Sequence, residues 1–288
     1  MILLGSAEGE SGYGPAIPIL EAGGSGLDAL EAAVRAVEIA GSTSVGMSGI
    51  PNMLGRIELD AGFMDGRTRK SGAVAALQGC IHPVSVARAV MEKLSHELLA
   101  GHGAALFAHE MGLLDEIEAL TGDVGNLAPY FGKELWRKVA PARNHDTVVY
   151  LCQDKAGDIA VATSTSGLGG KYFGRVGDTP IVGAGFYAEN GAGACACTGA
   201  GEMTMRCGTA RMVVAALKAG APVDYAVQYC IEDLAKLTAG RIDGVTVHAI
   251  DAKGGYAVGA LNSKGSAYYL WTDGRAAPIR QSAAAIAR

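Results

Sequence analysis

The sequence predicts an α+β fold in which helices pack against mainly antiparallel sheets. Two groups of strand-like segments occur along the chain, and segments with helical spacing flank each group. Apolar residues make up 49% of the 288 residues and charged residues 18%, a composition that excludes a disordered chain and supplies a large core. This length suits one large domain or two small ones.

The first half of the chain combines predicted helices and strands. Ser25 can act as the N-cap of a helix, because apolar residues at helical spacing follow it. Pro83 suits the first turn of another helix, where its missing N–H is not needed. The predicted elements are helices at 25–40, 83–94 and 103–111 and strands at 57–66 and 72–77.

A break in these patterns follows. Glycines and prolines interrupt residues 121–144, and the basic residues Arg137, Lys138 and Arg143 lie late in this stretch. Such a composition is typical of an exposed linker. We therefore expect a linker at about 121–146.

The second half returns to regular patterns with the same two kinds of element. The predicted strands lie at 147–152, 159–165, 192–198, 245–250, 256–261 and 267–271, and the predicted helices at 203–219 and 226–237. Pro180-Ile181-Val182 is a further short apolar segment.

Charge and apolar runs exclude several functions. The net charge of −5 gives no electrostatic reason to expect a nucleic acid or an anionic membrane as partner. No apolar run approaches the roughly 20 residues that span a bilayer. The opening Met1-Ile2-Leu3-Leu4 lacks the basic region of a signal peptide, so the cytoplasm is the expected compartment.

Cysteine and glycine motifs do not predict a cofactor site. Cys195 and Cys197 form a close pair, but no histidine or second pair follows at the spacing of a zinc site. Gly183-Ala184-Gly185 can line a pocket with bare backbone, but it lacks the Gly-Lys-Ser/Thr of a phosphate loop. The scattered histidines are interpreted as surface or core residues; they are His82, His96, His102, His109 and His248.

Thr147 is the candidate nucleophile. It follows Asp146 at the point where a polar loop changes abruptly into an apolar strand. Cleavage of the Asp146–Thr147 bond would give one residue both a hydroxyl and a free α-amine. That amine, with a reference pKa of roughly 8, can accept the hydroxyl proton near neutral pH.

Hydroxyl and charged residues downstream suit an acyl-transfer site. Thr163-Ser164-Thr165-Ser166 ends the strand expected to pair with the Thr147 strand, so a hydroxyl there can orient the nucleophile. Arg175 and Asp178 lie in a glycine-flanked loop and can bind the carboxylate and the ammonium of an amino-acid head group. The alternative interpretations are a polar strand end and a surface ion pair.

Thr198 and Gly199 offer a hydroxyl and a backbone N–H to a developing oxyanion, each worth about 3–4 kcal/mol in known enzymes. The alternative is an ordinary strand-to-helix turn capped by Thr198.

These motifs together resemble the N-terminal-nucleophile asparaginase family, type 2, which holds the glycosylasparaginases and the plant-type asparaginase/isoaspartyl peptidases. The resemblance covers nearly the whole chain, in the family's order. It rests on His145-Asp146-Thr147, Thr163-Ser164-Thr165, Gly174-Arg175-Val176-Gly177-Asp178 and Thr198-Gly199-Ala200-Gly201, and upstream on Gly23–Ala29, Ser44-Val45-Gly46, Leu59-Asp60-Ala61, Met64-Asp65-Gly66, Gly72-Ala73-Val74 and Val86-Ala87-Arg88.

The resemblance implies a single domain over 1–288, folded as a four-layer αββα sandwich of two mainly antiparallel sheets. It implies self-cleavage at Asp146–Thr147 into an α-chain 1–146 and a β-chain 147–288, and a dimer of processed units without metal or organic cofactor. The implied roles are Thr147 as nucleophile, Thr165 as its positioning residue, Thr198 and Gly199 as oxyanion hole, and Arg175, Asp178, Gly199 and Gly201 as substrate-binding residues.

One departure concerns the leaving group. Glycosylasparaginases carry a tryptophan near the start of the α-chain, against the substrate, whereas this segment reads Gly5-Ser6-Ala7-Glu8 and the tryptophans are Trp136 and Trp271. Residues 44–52 resemble the glycosylasparaginase branch and residues 199–202 the isoaspartyl peptidase branch.

The expected function is therefore a self-processing threonine amidohydrolase that cleaves the side-chain amide of β-aspartyl substrates, either glycosylated asparagine or asparagine. Two alternatives stay open. One is an isoaspartyl dipeptidase, and the other is an unprocessed homologue that binds amino acids without cutting.

Overall fold

A computed structural model describes residues 1–41, 45–114, 133–135, 145–263 and 266–286, with backbone alone for Met47, His145, Asp146 and Ile286. The helices are α1 (Tyr13–Glu21), α2 (Gly26–Ile39), α3 (Pro83–Lys93), α4 (Gly101–Glu110), α5 (Gly201–Cys207), α6 (Thr209–Lys218) and α7 (Val223–Ala235). The strands are β1 (Ile2–Ser6), β2 (Leu59–Asp65), β3 (Ser71–Leu77), β4 (Leu98–Ala100), β5 (His145–Gln153), β6 (Ile159–Leu168), β7 (Phe186–Glu189), β8 (Gly193–Gly199), β9 (Val245–Asp251), β10 (Tyr256–Leu261), β11 (Ala267–Thr272), β12 (Ile279–Ser282) and β13 (Ala284–Ile286).

The strands form two sheets. An eight-stranded sheet has the order β12-β11-β1-β5-β6-β2-β3-β4, and a five-stranded sheet has the order β13-β10-β9-β8-β7. Neighbouring strands are antiparallel except in the pairs β3–β4 and β10–β13. Both sheets are therefore mainly antiparallel, as the sequence predicts.

Three apolar clusters define four layers. One cluster, with Leu30 and Val148, lies between α1–α4 and the eight-stranded sheet. A second, with Val149 and Phe186, fills the space between the two sheets. A third, with Val213, lies between the five-stranded sheet and α5–α7. Alternate residues of β5 enter different clusters because successive side chains of a strand point to opposite faces. The αββα sandwich is confirmed.

Most predicted elements occur close to their expected bounds. Helix α2 begins as predicted, because the Ser25 hydroxyl accepts a hydrogen bond from the Asp28 N–H. The prediction of a single helix at 203–219 is wrong, because this segment forms two helices, α5 and α6, that meet at Gly208. Gly208 has a left-handed φ of 61°, a conformation that ends a helix and that glycine adopts without strain.

The sequence patterns did not predict β1, α1, β4, β7, β12 or β13. Pro180-Ile181-Val182 is not a strand and contributes one isolated bridge, from Val182 to Phe186. Most of the predicted linker, with Arg137, Lys138, Arg143 and the neighbouring Trp136, lies outside the described residues, as does Ser44. In the described part of the chain, every helix is too short or too polar to cross a bilayer.

Candidate active site

Thr147 lies in β5, which is central in the eight-stranded sheet between β1 and β6. The register of the β5–β6 pair shifts between Asp146 and Thr147, so a bulge falls at the bond predicted to be cut. Bulges redirect a side chain and interrupt the hydrogen-bond ladder. Thr147 is 8% exposed, which leaves its side chain open to the space between the sheets.

Two other hydroxyls hold Thr147 in place. The Thr147 Oγ1 donates to Oγ1 of Thr165, its register partner in β6, at 3.2 Å, and Thr165 Oγ1 also accepts from the N–H of Gly167 at 2.9 Å. On the other side, Ser6 Oγ in β1 donates to the Thr147 carbonyl and accepts from the Val149 N–H, both at 3.2 Å. These contacts orient the threonine from both neighbouring strands.

Thr198 and Gly199 end β8 in the facing sheet. Both line a cavity of about 310 Å³ that Thr147 also lines. Thr198 is half-buried, so its hydroxyl is available to an occupant of the cavity. The structure thus brings the predicted nucleophile and the two predicted oxyanion donors to one space.

Arg175 and Asp178 are not among the residues that line this cavity in the described part of the chain. Arg175 binds Glu202 instead, with Nε and Nη2 both directed at Oε1, at 3.0 and 2.7 Å. Burial alone would raise the pKa of Glu202, but the charge and hydrogen bond of Arg175 outweigh it and hold that pKa below its ordinary value. The predicted carboxylate receptor is therefore engaged by a carboxylate of the chain itself.

Asp178 lies beside Arg175, and its buried carboxylate accepts a hydrogen bond from Thr204 Oγ1 at 2.7 Å. Burial raises the pKa of Asp178 to about 6, although the Thr204 hydroxyl and the Arg175 charge oppose this. Gly201 packs against it so closely that a Cβ at position 201 would lie 2.6 Å from Asp178 Oδ1. This close contact explains why residue 201 is a glycine.

A buried pair of opposite charges, Lys171 and Asp60, lies near Arg175. Lys171 is 2% exposed and donates from Nζ to the Glu58 carbonyl at 3.1 Å. Burial lowers the pKa of Lys171 and raises that of Asp60, whose register partner is Thr165. The opposite charges of Asp60 and Lys171 stabilise each other and lie near the Arg175 guanidinium.

Several residues of the cavity wall were not predicted from the sequence. Ser6, Glu8, His248 and Arg280 line the cavity beside Thr147. The sequence of β9 contained a signal for one of them, because polar and apolar residues alternate along this strand. Thr246 and His248 lie on the face that contributes Ile250 to the core between the sheets, so two polar side chains on this face indicate a polar cavity. The interpretation of His248 as a core residue is correct but incomplete, since it also faces this space.

The other motifs contribute no groups to this site. Cys195 and Cys197 are buried in the cluster on the helix side of β8, away from the facing sheet. His82 lies beside the carboxylate of Glu38, with its Nδ1 3.3 Å away. Within the described residues, no group of three or more His, Cys, Asp and Glu side chains is arranged to hold a metal ion.

The chain matches known proteins over most of its length. A family model described as asparaginase matches residues 13–277. An isoaspartyl peptidase/L-asparaginase from Mus musculus is 39% identical over 219 residues, which are 74% of this chain and 67% of that protein. A plant-type L-asparaginase from Pyrobaculum calidifontis is 37% identical over 245 residues, 81% of this chain and 79% of its own length.

The glycosylasparaginase branch also matches. An N(4)-(beta-N-acetylglucosaminyl)-L-asparaginase from Elizabethkingia miricola is 36% identical over 220 residues, which are 76% of this chain and 64% of that protein. Similar identity to differently named relatives does not select a substrate. With a matching model over most of the chain and a fold of two layered antiparallel sheets between helices, the chain belongs to the type 2 asparaginase family of N-terminal-nucleophile hydrolases and is an asparaginase-type amidohydrolase.

Proposed function

We propose that the chain is a self-processing threonine hydrolase that cleaves the side-chain amide of β-aspartyl substrates. The observation that carries this proposal is the position of Thr147 Oγ1, 3.2 Å from Thr165 Oγ1 at a strand bulge and on the same cavity as Thr198 and Gly199. A nucleophile, an orienting hydroxyl and two oxyanion donors are the groups that acyl transfer requires.

Processing precedes turnover. In the uncut strand the nitrogen of Thr147 is an amide and cannot act as a base. Thr147 Oγ attacks the Asp146 carbonyl carbon, the C–N bond breaks, and an ester with a free amine results. Water then hydrolyses that ester, giving an α-chain 1–146 and a β-chain 147–288. The bulge at this bond favours the attack because it releases the peptide from the regular ladder.

Turnover repeats this chemistry on a substrate. Thr147 Oγ attacks the side-chain carbonyl carbon, and the α-amine of Thr147 takes the hydroxyl proton and passes it to the departing amine. Thr198 Oγ1 and the Gly199 N–H stabilise the oxyanion. A β-aspartyl ester forms, and water hydrolyses it to aspartate. The methyl group of threonine restricts χ1, so the hydroxyl stays directed at the substrate carbonyl carbon.

Arg175 and Asp178 bind the charges of the aspartyl part. Arg175 presents a planar fork that suits an α-carboxylate, and Asp178 suits the α-ammonium. In the structure the Glu202 carboxylate accepts the hydrogen bonds of the Arg175 guanidinium, so a substrate carboxylate must displace Glu202. The absence of a side chain at Gly201 leaves the room that the Asp178 carboxylate occupies.

Arg175→Lys should raise KM for asparagine about tenfold or more, because a lysine ammonium cannot reproduce the two-pronged contact. Steady-state kinetics on the processed protein measure this. Arg275→Lys is the matched control, since Arg275 is exposed and its side chain contacts Thr272. An unchanged KM would remove Arg175 from carboxylate binding.

The pH dependence should show a contribution from Asp178. Its pKa of about 6 in the free protein means that the carboxylate is charged above pH 6 and neutral below it. Binding of an α-ammonium is therefore lost as the pH falls through about 6, and kcat/KM falls with it. A substrate that lacks the α-amino group should not show this limb. If both substrates give the same profile, Asp178 does not bind the ammonium.

Denaturing mass spectrometry of purified protein tests the proposed function. Two fragments that begin at Met1 and Thr147 support it, whereas an active protein of intact 29.3 kDa contradicts it. A dimer of processed units is also proposed, on the resemblance to the family, and light scattering after size exclusion measures it.

A further inference from the structure

Arg175 and a buried lysine are two neighbouring cations. The Nη1 nitrogen of Arg175 packs against two glycines, since a Cβ on Gly167 would lie 3.3 Å from it and a Cβ on Gly177 would lie 3.0 Å from it. The same Cβ on Gly167 would lie 3.2 Å from Lys171 Nζ. The other two nitrogens of Arg175, Nε and Nη2, donate to Glu202. Lys171 therefore lies on the side of the guanidinium that faces away from Glu202.

The charge of Lys171 requires anions nearby. Lys171 is 2% exposed, and its burial lowers its pKa. The charges of Asp60 and Glu58 oppose this lowering, whereas the charge of Arg175 adds to it. Two cations in a buried place repel each other, so both are stable there only beside compensating carboxylates.

Glu58 binds the backbone of the Arg175 loop. Its carboxylate accepts from Asn52 Nδ2 and from the N–H of Gly174, both at 2.9 Å. Its carbonyl accepts from Lys171 Nζ at 3.1 Å. Glu58 therefore fixes the ammonium of Lys171 and the residue that precedes Arg175, but neutral donors already occupy its carboxylate.

Asp60 is the carboxylate that both cations share. It is fully buried, its Oδ1 accepts from the Ala76 N–H at 2.8 Å, and the Gly177 N–H also hydrogen-bonds it. Burial raises the pKa of Asp60, and the charges of Lys171 and Arg175 both oppose this, with the larger effect from Lys171. Asp60 is therefore an anion to which either cation can pair.

We propose that Lys171 is a positioning residue, whose ammonium compensates the Asp60 carboxylate and thereby keeps the Arg175 guanidinium available to the α-carboxylate of the substrate. Without the lysine charge, Arg175 is the remaining cation that acts on Asp60 in the described part of the chain, and its guanidinium is drawn toward that buried carboxylate. This inference rests on the proposed function, because it requires Arg175 to bind the substrate. Lys171 itself takes part in no chemical step.

The test removes the charge at position 171 with and without the charge of Asp60. Processed protein is assayed with the better of two substrates, asparagine and β-aspartyl-alanine. Lys171→Met should raise KM about tenfold or more and leave kcat within about threefold, because Arg175 is displaced while Thr147 is not. Asp60→Asn/Lys171→Met should return KM to within about threefold of wild type, since no Asp60 charge remains to draw Arg175 inward.

Two further variants make the result specific. Lys171→Gln removes the charge but keeps a donor for the Glu58 carbonyl, so it should show the same rise in KM and the same recovery on addition of Asp60→Asn. Lys155→Met is the control, because it removes an exposed lysine from the turn between β5 and β6 and should leave KM unchanged. Thermal unfolding shows which variants are folded.

The outcomes separate this inference from the proposed function. An unchanged KM in Lys171→Met, or a raised KM that persists when Asp60→Asn is added, overturns the positioning role. Failure of both position-171 variants to fold, with and without Asp60→Asn, makes Lys171 purely structural and also overturns it. A processed wild-type protein that hydrolyses neither substrate overturns the proposed function itself, and this inference with it.

Discussion

Thr147→Ala should yield a single chain of 29.3 kDa with hydrolysis reduced by at least about 10⁴-fold. The substitution removes the hydroxyl that attacks in both processing and turnover. It also prevents release of the α-amine that serves as base. Both losses have one cause, so they should appear together. Mass spectrometry and an ammonia-release assay measure them.

Thr147→Ser is the matched control, because it keeps the hydroxyl and removes only the methyl group. Processing and partial activity should survive, with a lower rate because χ1 is less restricted. Loss of the methyl leaves the contact with Thr165 available, since that contact uses the hydroxyl. An uncut Thr147→Ala protein that remains active would refute the mechanism.

Thr198→Val should lower kcat for asparagine by about 10²–10³-fold with little change in KM, because the hydroxyl acts mainly on the oxyanion of the transition state. Valine keeps the shape and the β-branch, so β8 should remain intact. Thr198 is only half-buried, and the change therefore leaves no deeply buried polar atom unpaired.

Thr272→Val provides the comparison for Thr198→Val. Thr272 is the last residue of β11, and its hydroxyl accepts a hydrogen bond from the Arg275 side chain. Strand β11 does not pair with β5, the strand that contains Thr147. Its kcat should remain within twofold of wild type. Similar kcat values for Thr198→Val and wild type would remove Thr198 from the oxyanion hole.

Much of the fold could be predicted from local patterns. Ser25 and the apolar spacing after it predicted α2, and the strand-like segments at 147–152, 159–165, 192–198 and 245–250 predicted the strands β5, β6, β8 and β9. Errors arose where local patterns carry little information. Gly208 lies inside an otherwise continuous helical pattern, and the edge strands β12 and β13 are short.

The sequence predicted part of the candidate site, but neither the pairings of its side chains nor all the residues that line the cavity. Thr147, Thr165, Thr198 and Gly199 were proposed from motifs, and the structure places them together around one space. The pairing of Arg175 with Glu202 was not predicted, since 27 residues separate them and either side chain alone suits a solvent-exposed loop.

Residue patterns in the sequence were enough to predict an α+β fold and to propose Thr147 as the candidate nucleophile, and motifs along nearly the whole chain indicated the asparaginase family and, through it, the layered sandwich. The residues that surround Thr147 became evident only in the folded structure. Ser6 contacts Thr147 although 141 residues separate them in the sequence. His248 lines the same cavity because the pairing of β9 with β8 and β10 sets its position in the sheet. A strand's register depends on all its neighbours, so no local pattern specifies which side chains share a cavity.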